Sequence, residues 1–141
     1  IQEFMDDLQI DGISFDEDSK IAIMKNTNDH PFYLIKLIQE AYIDALINGS
    51  TLVTVEHVKH AISKILLDNG AFFEAEWHKI NAKKYKGMIF KELCGVNVNG
   101  LETVNSSYKS QITKELMKES LITLNKIPTD PFFVLCIKKG L

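Results

Sequence analysis

The sequence predicts a mainly α chain: a helical bundle over residues 1–80, then a winged helix-turn-helix with a small β wing over residues 81–141. Three observations predict it. Apolar side chains return every three to four positions through most of the first eighty residues, the period of a helix with one buried face. The breaks between these stripes are Asp-Gly, Asn-Gly and a proline just after an N-cap residue, which are helix stops and starts. The charge then changes sign. Residues 1–79 hold six lysines against fourteen acids, a balance of −8, and residues 80–141 hold ten against five, a balance of +5. Such asymmetry marks two modules with different partners.

Taken in order, Gln2 to Leu8 reads as the tail of a helix, with Phe4, Met5 and Leu8 on one face and Asp11-Gly12 closing it. Ser14 and Glu17 fit a capping box, in which hydroxyl and carboxylate satisfy the free amides of a first turn. Asp16, Glu17 and Asp18 sit where the helix dipole favours negative charge. Ile21, Ala22 and Met24 follow at helical spacing until Asn26-Thr27-Asn28.

Asp29 is read as the N-cap of the strongest helix, with His30 and Pro31 opening it. Leu34, Ile35, Ile38, Ala41, Tyr42, Ala45 and Leu46 form its apolar stripe, and Asn48-Gly49-Ser50 stops it. Thr54 caps the next helix. Val55, Val58, Ala61, Ile62, Ile65 and Leu66 run along it, and Phe72, Phe73, Trp77 and Ile80 resume the stripe after a break at Asp68-Asn69-Gly70.

Beyond Ile80, Asn81 is placed as the cap of a basic helix that turns Tyr85, Met88, Ile89 and Leu93 inward and ends at Gly95. A turn-rich stretch follows to Asn105. Ser106 or Ser107 opens another helix, with Tyr108, Ile112, Leu116 and Met117 inward. Leu121 to Leu124 reads as a short strand, Asn125-Lys126 as a turn, and Pro131 to Lys139 as a last apolar helix with a basic end.

Composition excludes several functions. The longest apolar runs fall far short of the ~20 residues of a membrane helix, so a cytoplasmic, membrane-free protein is expected. Cys94 and Cys136 each sit in an apolar run and read as buried thiols of a reducing compartment. His57 and His60 have a metal-like spacing but lack a third and fourth ligand, so no metal site is expected. No nucleophile elbow and no glycine-rich phosphate loop occurs. The expectation is therefore no catalytic residue and no enzyme activity in this chain.

Two helices, a strand and a tight turn are the order of a winged helix-turn-helix, whose second helix is the recognition element. Its outer face presents Lys109, Thr113, Lys114 and Lys118, with Gln111 near them. Lysines neutralise phosphates, and Gln111 or Thr113 reaches base edges. The chain has no arginine, so bidentate guanine recognition is absent. DNA and a protein partner both fit this half.

The stretch Asp29-His30-Pro31-Phe32-Tyr33-Leu34 resembles the Gly-x-Pro-Phe-Tyr-Leu opening of the lid helix in archaeal ATPases of the AAA+/STAND group. Gly12 to Glu17, Lys25-Asn26-Thr27, Val53 to Val58 and Phe73 to Trp77 also look like that family's lid. Asp130-Pro131-Phe132-Phe133 through Lys138-Lys139 is similar to the end of its winged helix.

This resemblance implies the C-terminal lid and effector region of an ATP-binding regulator. ATP and Mg would be held by a nucleotide-binding core upstream of Ile1, with no cofactor held by this chain alone. It implies Pro31, with His30 beside it, as the adenine contact. Asp29 stands where the family has glycine. The alternatives are a stand-alone winged-helix DNA-binding regulator with a helical dimerisation half, and a protein-interaction module.

Overall fold

The computed structural model describes residues 2–141. Helix accounts for 65 % of it, so the chain is mainly α. It divides into two compact units, one ending at Asp68 and the other beginning at Asn69. The division falls before Ile80 because the segment 70–81 buries Phe73, Trp77 and Ile80 with the residues that follow it.

In the first unit, α1 (Gln2–Asp6) leads to a small sheet of β1 (Gln9–Ile10), β2 (Ile13–Phe15) and β3 (Leu52–Val53). Asp11-Gly12 closes a hairpin rather than a helix. Asp11 and Gly12 both have positive φ, 49° and 80°, the backbone that a tight two-residue hairpin needs. β2 then pairs in parallel with β3, Ser14 opposite Leu52 and Phe15 opposite Val53. The crossover between them contains α2 (Glu17–Thr27) and α3 (Pro31–Ile47), and α4 (Val55–Asp68) follows β3.

Several helix starts differ from the sequence reading. Ser14 lies in β2, and Asp16 caps α2 by accepting from the Ser19 amide at 2.7 Å. The inward residue of α2 is Ile23, fully buried, while Ile21 is 59 % exposed. His30, not Asp29, is the N-cap of α3. At α4, the Thr54 amide donates to His57 Nδ1 at 3.0 Å. His57 thus does the work of the glutamate in a capping box. α3 packs against α2 and α4. Fully buried Ala41 and Ala45 remove bulk from its inner face, beside Leu37 and Ile38.

In the second unit, α5 (Gly70–Asn81) packs against α6 (Lys86–Leu93), and α6 against α7 (Ser106–Lys118). Asn81 ends α5 instead of capping α6, which starts after Tyr85 in a left-handed conformation. Gly87 marks the closest approach of α6. A Cβ there would lie 2.9 Å from the Trp77 ring and 2.2 Å from Asn81 Oδ1. A 3₁₀ turn at Leu101–Thr103 leads to α7, which Asn105 caps through the Ser107 amide at 2.7 Å.

The expected wing is shorter than read from the sequence. It is one bridge, Ile122 opposite Pro128, supported by Thr123 N–H to Ile127 O at 2.8 Å and Thr129 N–H to Leu121 O at 3.1 Å. Pro128 has no amide with which to extend a ladder. α8 (Pro131–Lys138) follows, its first turn capped by Asp130, which accepts from the Phe132 and Phe133 amides at 3.0 Å each. Phe133 stacks on Phe73 at 5.9 Å and meets Phe90 at 5.5 Å, which fixes the aromatic centre of this unit.

Candidate nucleic-acid interface

α7 owes its orientation to two fully buried residues, Ile112 and Leu116, at i, i+4 spacing. Tyr108 adds an anchor, its hydroxyl donating to the Lys84 carbonyl at 2.9 Å. The side away from Ile112 and Leu116 is left to solvent. There Ser107, Ser110, Gln111, Lys114 and Lys118 are all exposed.

The five residues singled out on this helix are not equivalent. Gln111, Lys114 and Lys118 lie on the open face, whereas Lys109 and Thr113 are half-buried along its edge. The Thr113 hydroxyl donates to the Lys109 carbonyl at 2.8 Å, a back-bond that occupies its proton. Gln111 therefore keeps the freer polar group of the two.

The acids of α7 point elsewhere. Glu115 accepts from Lys83 at 2.7 Å and from Lys86 at 3.1 Å, and Glu119 pairs with Lys86. The Lys83 hydrogen bond, then that of Lys86, holds the Glu115 carboxyl below the usual carboxylate range. Burial works to lower the Lys86 pKa, but the hydrogen bonds to Glu119 and Glu115 carry it upward on balance. Lys86 is the nearly buried member of this cluster, at 6 % side-chain exposure. A buried cation needs such partners, since desolvation penalises a lone charge. The outcome is a helix whose two carboxylates are neutralised on one edge and whose open face holds lysines and neutral donors.

Two depressions flank that face. One, of about 490 Å³, is lined by Ser106, Ser107, Ser110, Gln111 and Lys114. The other, of about 460 Å³, has Ile89, Leu93 and Met117 among its lining residues, together with Lys109 and Lys126. Lys126 was not among the residues the sequence pointed to. It sits at the turn of the bridged hairpin with φ 64°, and only the folded hairpin brings it to the groove beside Lys109.

Pro31 and His30 belong to the first unit. Pro31 occupies the first position of α3, as the helix-start reading requires. The His30 ring lies 4.9 Å from that of Tyr33, and its Nδ1 is buried without a hydrogen-bond partner. Asp29 is exposed and left-handed, with φ 59°. That is the conformation glycine adopts freely and aspartate tolerates.

The histidines spaced like metal ligands have local partners: His57 the Thr54 amide, and His60 the Asp44 carboxylate at 3.1 Å. Among the described residues no three potential metal ligands come together. No described helix is long and apolar enough to cross a membrane. Both cysteines are free. Burial pushes the Cys94 thiol up to about 12, which keeps it protonated and unreactive at neutral pH.

Compared with known proteins, the chain matches no family model, no curated protein and no solved structure.

Proposed function

We propose that this chain is the lid and effector region of an ATP-binding regulator, and that its second unit meets duplex DNA through α7. The observation behind the DNA reading is the acid-free outer face of α7. Lys114 and Lys118 neutralise backbone phosphates. Ser107, Ser110 and the first turn of the helix position them, and Gln111 reaches a base edge. Lys109, Lys114 and Lys126 outnumber the one acid, Glu92, among the residues that line the adjoining groove. Without arginine, affinity comes mainly from phosphate contacts and sequence preference is modest.

The lid reading rests on the motif itself and on Asp29. Its left-handed backbone reproduces what glycine would supply at that position, and its exposed carboxylate points to solvent. Pro31 and His30 would then face an adenine bound by a separate core.

A specific feature favours a second reading, a protein partner for the second unit. Leu124 and Ile127 at the hairpin are 86 % and 55 % exposed. The test is fluorescence anisotropy of labelled duplex DNA with the chain over a range of salt. A log–log slope of about −0.9 per neutralised phosphate is expected. Replacing Lys109, Lys114 and Lys118 together by Ala should flatten that slope and weaken binding at least tenfold. Binding unchanged in the triple variant refutes α7 as the DNA contact. No binding by the wild type at low salt leaves the protein-partner reading.

A further inference from the structure

The outer face of α3 is apolar on both sides of a central Gln39. Phe32, Ile35, Ile43 and Leu46 are 67, 48, 41 and 54 % exposed. They lie on the side opposite the buried Leu34, Leu37, Ile38, Ala41 and Ala45, with exposed Gln39 among them. At 1.5 Å per residue the stripe runs about 21 Å. An exposed row of large apolar side chains of this length marks a contact surface.

Charge has been drawn off this face. Glu40 pairs with Lys36 at 3.2 Å and Lys64 at 3.8 Å, and its side chain is only 10 % exposed. Asp44 turns to His60 at 3.1 Å. The stripe itself therefore holds no carboxylate, and the lysine bordering it is already engaged. A polyanion or an anionic lipid surface finds no free cation on it.

The order of residues identifies what fits. Counting outward from Gln39, an isoleucine stands four residues away on each side, Ile35 and Ile43. A large apolar residue stands seven away on each side, Phe32 and Leu46. A stripe that reads the same in both directions meets its own antiparallel copy apolar against apolar. A two-fold interface demands that self-complementarity, since the same patch serves both subunits. The single polar residue falls on the axis and meets itself. Two primary amides, each with donors and an acceptor, satisfy one another there.

We propose that α3 is the contact of a two-fold homodimer of this chain, with Gln39 at the axis. Sedimentation equilibrium of the whole chain, from micromolar to near-millimolar protein, reads the mass directly. The wild type should rise from 16.0 kDa toward twice that value. Ile43→Glu should stay at the monomer mass with an unchanged circular dichroism spectrum, because Ile43 is already exposed.

Mild oxidation supplies a second reading that depends on the axis. Gln39→Cys should form an interchain disulfide at least tenfold faster than Leu46→Cys, whose partner is Phe32, with peptide mapping to assign the bridge. Only residues near the axis bring their own copies within disulfide reach. A wild type that stays monomeric throughout overturns the proposal and assigns the face to another chain. A dimer that survives Ile43→Glu, or equal crosslinking of the two cysteine variants, also overturns it.

Discussion

α3 and α7 treat their acidic residues alike and expose different chemistry as a result. On α3, Glu40 and Asp44 are taken up by Lys36, Lys64 and His60. On α7, Glu115 and Glu119 are taken up by Lys83 and Lys86. In both cases the outer face is freed of carboxylates. What remains is apolar on α3 and lysine-bearing on α7. The lesson is that surface character here is set by where a helix sends its acids as much as by which residues it carries. Counted by sequence alone, α7 holds two acids that dilute its lysines; in the fold those acids neutralise other lysines.

The largest effect expected concerns the independence of the two regions. Phe73 is 1 % exposed and stacks on Phe133. Phe73→Ala should destabilise the second unit by about 3–5 kcal/mol, the usual cost of emptying an aromatic core site. Hydrogen exchange should show protection lost beyond Asn69 and retained in α3 and α4. Equal loss in α3 would mean that the two units fold as one.

A smaller effect separates the role of the ion pairs from that of the open face. Lys86→Met keeps the apolar stem, frees Glu119 and leaves Glu115 with Lys83 alone. DNA affinity should fall on the order of threefold near 0.1 M salt, the scale of charges about one Debye length from the phosphates. The open face is untouched, so an unchanged affinity would show that the placement of these acids is irrelevant to binding.

The smallest effect is a pH dependence. The Glu115 pKa is lowered in the folded state. Its contribution to stability is therefore present above the unfolded carboxylate value of 4.5 and is lost as pH falls through the lower folded value. Urea denaturation should show the second unit weakening below about pH 4.5 more in the wild type than in Glu115→Gln. Identical pH profiles would remove Glu115 from the account.

Much of the helical framework was legible because it depends on local rules. Pro31 and Pro131 fix helix starts, and the buried faces of α4 and α7 follow their apolar spacing. The hairpin at Asp11-Gly12 was not legible, because strands of two or three residues are too short to display alternation. The same brevity hid the β2–β3 pairing, which joins residues far apart in sequence.

The division at Asn69 lies ahead of the break read at Ile80 because the apolar stripe continues into α5, and periodicity does not say which unit a stripe packs into. For the candidate site, Lys114, Lys118 and Gln111 were readable from helical spacing. The retraction of Glu115 and Glu119 was not, since it depends on Lys83 and Lys86 some thirty residues away. Lys126 was hidden for the same reason.

The most direct test is a ¹⁵N–¹H correlation spectrum of the whole chain titrated with duplex DNA at low salt. Amide shifts concentrated in 106–118 and around Lys126, reversed by added salt, are the predicted result. Shifts confined to the first unit, or shifts that salt does not reverse, would contradict the assignment of α7 as the DNA-facing helix.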